Sequence, residues 1–245
     1  MRHIFFGLFF CLVAAFPALA AGSGAELTLK DDQIVLLKGG KSAALDRGMF
    51  PAQPIDDTGM RFLGVGPDEA KELGMAPGLY IFKGEGKPVA FAATDKAGFC
   101  ADVTISPNGK ILAMDAGTSL VRDWFFFSYP EMKPLGDTVY YLTPDTPAII
   151  WAGETGALVS TMNVDGHGRS CGYDPCGPVS VSYYDIGTHK AVKLLPGTDL
   201  CDYTLTGLAN GGLEAAAAEL CLPSPKEWEI FPEGKPVKTV TVKLP

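Results

Sequence analysis

The sequence predicts an all-β chain assembled from successive hairpins. Three features point there. Short runs rich in β-branched and aromatic residues recur from Leu79 onward, turns containing Gly and Pro separate them, and convincing amphipathic helices are scarce. With 245 residues, the chain is long enough for one large β domain or two small ones, and for a substantial core.

The first segment belongs to export rather than to the fold. Residues 1–20 read MRHIFFGLFFCLVAAFPALA. Arg2 gives a positive start, Ile4 to Ala15 an apolar run, and Ala18-Leu19-Ala20 small residues at −3 and −1, the order a signal peptidase reads. A spanning helix needs about 18 or more apolar residues, and this run is shorter and broken by Pro17. Cys11 lacks the preceding small residue of a lipidation signal. No later segment is apolar enough to cross a bilayer, so no stable transmembrane anchor is expected after processing. Residues 21–245 are then one mainly β extracytoplasmic domain, periplasmic or secreted.

Within that domain, Thr28-Leu29 and Gln33 to Leu37 begin a sheet. Residues 39–60 mix glycine, proline and acidic residues, which predicts a long irregular connection. Asp68 to Leu73 is the best short helix, with Pro67 suited to its first turn and Gly74 to its stop. Leu79 to Phe82 turns through Gly84-Glu85-Gly86 into Val89 to Phe91. Val103 to Ile105 turns through Ser106-Pro107-Asn108-Gly109 into Ile111 to Met114, and both central residues of that turn tolerate positive φ. Trp124 to Tyr129 and Val139 to Leu142 are further strands, and the Trp124 to Phe127 run is apolar enough to contact protein on both faces. Val179 to Tyr184 alternates valine and serine, predicting valines inward and serines outward. It turns through Asp185 to Lys190 into Ala191 to Leu195, and Trp228 to Phe231 turns into Val237 to Leu244. Trp151, Tyr183 and Trp228 are core posts by default.

Leu213 to Leu220, LEAAAAEL, pulls two ways. Its propensities favour helix. A hairpin with the three-residue loop Asn210-Gly211-Gly212 pairs Ala209 with Leu213, and the same register sets Cys201 opposite Cys221, a separation that suits a disulfide. The hairpin is the reading preferred.

Residues 103–114, VTISPNGKILAM, and 183–192, YYDIGTHKAV, resemble the strand pairs of bacterial β-propeller repeat proteins, with His189 where a turn glycine is usual. The resemblance covers about half of the mature chain. It implies a propeller-like or partial-propeller fold of four or five blades at about 40–45 residues each. A twisted β-sandwich is the alternative.

The formal charge of −8 gives a surface that repels nucleic acid and anionic lipid, and no basic, aromatic-interleaved patch offers nucleic-acid recognition. Besides Cys11, the cysteines are Cys100, Cys171, Cys176, Cys201 and Cys221. In an oxidising compartment these make two bridges, Cys171–Cys176 and Cys201–Cys221, and leave Cys100 as a thiol that is either buried or poised to react.

The densest polar stretch is residues 163–177. Asp165, His167 and Asp174 offer metal ligands, although six to eight oxygens for calcium are not in evidence there. His167, Cys171 and Cys176 suit zinc, but export favours the disulfide. Asp165 and His167 are the one candidate acid–base pair, at an i, i+2 spacing that fixes no geometry. No nucleophile elbow, zinc-hydrolase motif, phosphate loop or dinucleotide fingerprint occurs, and no cofactor is expected. The leading functional expectation is a non-catalytic binding or interaction module for a protein or small extracytoplasmic ligand. The alternatives are a metal- or carboxylate-assisted hydrolase and a structural component of the envelope.

The leader supplies the first test. Exported protein is expected to begin at Ala21 on N-terminal sequencing, and material still beginning at Met1 would contradict the leader.

Overall fold

Close-spaced turns fold this chain back on itself, so each strand's neighbour in the sheet is the strand before it in sequence. The computed structural model describes residues 25–117, 122–136, 139–141, 149–154, 156–162, 177–229 and 237–245. Its strands form five antiparallel sheets in chain order. The first holds β1 (Ala25–Lys30), β2 (Gln33–Lys38) and β3 (Lys41–Ala44). The second holds β4 (Gln53–Ile55), β5 (Met60–Val65), β6 (Gly78–Lys83) and β7 (Ala90–Ala93). The third holds β8 (Cys100–Ile105), β9 (Ile111–Gly117), β10 (Arg122–Ser128) and β11 (Val139–Tyr141). The fourth holds β12 (Ile150–Ala152), β13 (Gly156–Met162), β14 (Val179–Asp185) and β15 (Lys190–Leu195). The fifth holds β16 (Cys201–Ala209), β17 (Glu214–Cys221) and β18 (Lys238–Lys243). Among the described residues one α-helix, α1 (Pro67–Leu73), links β5 to β6, opening on Pro67 and ending where Gly74 turns left-handed at φ 70°.

Each sheet packs face to face on the next, and a hydrophobic core fills each boundary. Leu27, Leu29, Ile34 and Leu36 meet Leu63, Val65, Tyr80 and Phe82 between the first two sheets. Phe62, Leu79 and Ile81 meet Leu112, Met114 and Phe127 at the second boundary. Ile111, Ala113, Trp124 and Phe126 meet Ala157, Val159 and Tyr184 at the third. Leu158, Val181 and Tyr183 meet Leu205, Ala215 and Ala217 at the fourth. Successive residues of a strand point to opposite faces, so β10 sends Trp124 and Phe126 one way and Phe125 and Phe127 the other. The all-β, propeller-like reading therefore holds, with consecutive blade-like meanders in series. The two-sheet sandwich does not.

Burial on both faces also corrects the reading of β14. Ser180 and Ser182 are buried rather than outward, because the third sheet covers the face they occupy. They are paired there: Ser182 Oγ lies 2.7 Å from Thr161 Oγ1, and Gly197 N donates to Ser180 Oγ at 2.9 Å.

Three connections differ from expectation. Residues 39–60 hold β3 and β4, since the Gly39-Gly40 turn sets Lys38 opposite Lys41 and continues the β1–β2 hairpin into a third, exposed strand. In the 106–109 turn only Gly109 takes positive φ, at 67°. Asn108 stays right-handed and uses its side chain instead, its Oδ1 accepting from Ser106 Oγ at 2.8 Å and from Lys110 N at 3.0 Å. Trp228 belongs to a 3₁₀ turn, Pro225–Glu229, rather than to a strand, while Ile230 and Phe231 lie outside the described residues. The 186–189 turn behaves as its sequence implies: His189 holds φ 58° where glycine is usual, and Asp185 Oδ1 accepts from Gly187 N and Thr188 N. Those amide bonds, the one from Thr188 foremost, hold the Asp185 carboxyl below its ordinary range.

The strand reading of 213–220 is correct. Cys201 pairs with Cys221, Tyr203 with Glu219 and Leu205 with Ala217, and the two sulfurs are bonded across a Cα separation of 4.1 Å. The register then slips at a bulge between Leu205 and Gly207, so Ala209 meets Glu214 rather than Leu213. One extra residue in β16 is thus matched by one extra residue in the loop, which runs 210–213.

The bridge closes a loop of sequence separation 20. Replacing Cys201 and Cys221 together by serine is expected to lower stability in denaturant titration by about 2–4 kcal/mol. An unchanged midpoint would show that the β16–β17 pairing alone holds this end.

Candidate functional site

The first strands of neighbouring sheets approach one another, β4 beside β8 and β12 beside β16. Ionisable groups gather where β8 starts. A bulge between Cys100 and Asp102 leaves Cys100 opposite Ala116 and brings Asp102, rather than Ala101, opposite Asp115. Two carboxylates facing across a ladder repel. Arg122, on β10 two pairs away from Asp115, offsets this: its Nε donates to Asp115 Oδ1 at 2.6 Å, and its Nη2 to the Asp115 carbonyl at 3.3 Å. Both side chains of this ion pair are under a tenth exposed. The pair's attraction is large in that setting, but so is the cost of taking both charges out of water.

Asp102 sits differently. Burial pushes its carboxyl above the ordinary range, Asp56 and Asp115 push the same way, and a bond from Val103 N opposes them. That amide donates to Asp102 Oδ1 at 2.9 Å. Beside it, Cys100 is a free thiol packed against the core between the second and third sheets. Burial, reinforced by Asp115 and Asp102, drives its pKa far above the usual thiol range. Cys100 therefore stays a neutral thiol, not a poised thiolate. Further along β8, Thr104 ties three sheets together. Its Oγ1 donates to Asp56 Oδ2 at 2.7 Å and accepts from Trp151 Nε1 at 3.0 Å.

Chemically, this corner fixes sheets and carries one proton-sensitive acid. Asp115 is engaged by Arg122, Asp56 by Thr104, and only Asp102 is left half-buried among like charges. Trp151 is half-buried and hydrogen-bonded, and Tyr183 is buried, so these two aromatic posts serve the core. Among the described residues, no group of three His, Cys, Asp or Glu side chains could hold a metal ion. Asp165, His167, Cys171, Asp174 and Cys176, the candidates read from the sequence, lie outside the described residues. His189 stands in its turn, with Gly136 pressed against its backbone. The corner's own signal was present in the sequence: Asp115 interrupts ILAMDAG, and Arg122 opens RDWFFFS, both otherwise largely apolar.

Two substitutions separate the two acids. Arg122→Leu strands Asp115 as a buried, uncompensated charge and is expected to cost about 3–5 kcal/mol in equilibrium unfolding. Asp102→Asn acts in the opposite direction. Because the folded-state pKa of Asp102 is raised, its burial weakens the fold as pH climbs through and above the unfolded-state value. The variant is expected to exceed the native protein in stability at pH 7, with the gap closing as pH falls toward 3.5. A gap independent of pH would contradict this assignment.

No family model matches the chain, and no curated protein matches it. Among solved structures it is similar to the β-propeller domain of the Trilobed protease from Pyrococcus furiosus, at 11% identity and TM-score 0.42, covering 90% of this chain and 70% of that one. It is also similar to an acylaminoacyl peptidase, at 8% identity and TM-score 0.44, covering 89% of this chain and 36% of that one. A third likeness is to the tricorn protease, at 14% identity and TM-score 0.37, covering 86% of this chain and 25% of that one.

Proposed function

We propose that this protein is a non-catalytic binding or interaction module that works outside the cytoplasm, in the periplasm or as a secreted protein. The observation that carries this reading is how the polar side chains between the sheets are used. Arg122 holds Asp115, Thr161 meets Ser182, Gly197 N donates to Ser180, and Leu205 N donates to Ser160 Oγ at 3.0 Å. Each is engaged in keeping one strand or sheet against another. A rigid stack of this kind presents loops for recognition without needing a reaction centre. The leader at residues 1–20 and the Cys201–Cys221 bridge support an oxidising compartment outside the cytoplasm. Among the described residues, no helix is long and apolar enough to cross a membrane.

A carboxylate-assisted hydrolase is the second reading, favoured by Asp102, whose raised pKa beside Asp56 suits a general acid. The two part on one assay. Mature protein and Asp102→Asn are compared on a panel of esters, glycosides, phosphoesters and peptides between pH 4 and 8. The binding reading expects no turnover that distinguishes them. Turnover by the native protein that the variant loses would establish the hydrolase instead.

A further inference from the structure

The second, third and fourth sheets each have four strands, whereas the fifth ends at β18 after three. Among the described residues, β18 pairs with β17 on one side and with nothing on the other. Its sequence, KTVTVK, contains no proline, and its pairing with β17 runs without a bulge. Val240 and Val242 lie on the core side and are only partly covered. Edge strands are usually shortened, bulged, overlaid or charged, because a bare row of N–H and C=O groups is a template for another strand, and of these devices β18 has only its terminal lysines. This edge keeps its full six residues.

We propose that β18 is a docking edge, and that its occupant is an extended segment of a partner polypeptide, alternating apolar and polar residues between acidic ends. The inference deepens the binding-module reading and rests on it. Charge chooses the occupant. In a chain of net charge −8, this edge carries a lysine at each end, Lys238 and Lys243, both exposed. Lys238 stays 74% exposed although its Nζ lies 3.5 Å from Glu219. A second copy of β18, laid alongside in either direction, brings lysine against lysine at both ends. Glu219 and Glu214 face these lysines across the β17 ladder, and an acidic-ended strand gives each a second carboxylate on the open side. Main-chain bonds along the edge give such a segment affinity, and its apolar side chains extend the cover over Val240 and Val242.

The test uses the mature protein and two synthetic peptides, each alternating valine with threonine over five residues. One is flanked by aspartates and the other by lysines. Fluorescence anisotropy in low salt is expected to show the aspartate peptide binding at least tenfold more tightly. Hydrogen exchange of the Lys238–Lys243 amides is expected to slow when it binds. The double variant Lys238→Glu and Lys243→Glu is expected to reverse the preference, and its thermal melt reports whether it is folded. If that variant does not fold, the native protein with both peptides decides. Equal affinities, absent binding, or protection elsewhere without protection of β18 overturns the docking edge. So does concentration-dependent self-association that protects β18 without peptide. Each of these leaves the binding-module reading to the turnover assay, so the two failures are distinguishable.

Discussion

Everything else in this fold depends on one constraint: the three middle sheets must bury both faces. A sheet with one wet face alternates apolar and polar residues, and its polar groups are solvated without further provision. Here an interior strand has no wet face. Leu79 to Phe82, Ile111 to Met114 and Trp124 to Phe127 accordingly read as unbroken apolar runs. Any polar group among them must find a partner across the ladder or across the boundary. The Arg122–Asp115 pair and the Thr161–Ser182 contact are products of that demand. The stacked ring of Phe126 on Tyr184, with centroids 3.9 Å apart, lies between the same two sheets.

That constraint also explains what the sequence disclosed and what it concealed. Hairpins were legible because their information is local: turn residues and the apolar runs flanking them fix a strand pair without reference to the rest of the chain. The Cys201–Cys221 bridge was legible because register is arithmetic. The arithmetic failed at the bulge beside Gly207, since an added residue in a strand changes neither its composition nor its alternation. The serines of β14 were misread for a different reason. Alternation reports chemical type, not whether a neighbouring sheet covers that face, and serine is small enough to be buried once it has a hydrogen-bond partner.

The acidic corner was legible only in part. Asp102, Asp115 and Arg122 come from three adjacent strands of the third sheet, gathered by strand pairing and the bulge at the start of β8, and the packing of the second sheet on the third adds Asp56. Along the chain, the chemistry-bearing side chains are densest in residues 163–177 instead. Density in sequence and convergence in space are separate properties. Asp115 and Arg122 carried the better clue, a charge set inside an apolar run, because such a charge is tolerated only with a partner.

The serial order of the sheets has a further consequence, for folding. Each sheet forms from neighbouring strands, and each core joins neighbouring sheets, so cooperativity passes along the array step by step. Pairing runs between strands adjacent in the chain, so assembly can start at several points rather than from a single nucleus. The two ends should therefore loosen before the middle. A hydrophobic core holds each end, and each adds a different link: the fifth sheet a covalent bridge, the first exposed ion pairs such as Arg61–Asp32 and Lys87–Glu26. Added salt screens the second kind of link, worth at most about 1 kcal/mol a pair, and leaves the first untouched, so salt separates the two ends by a small margin.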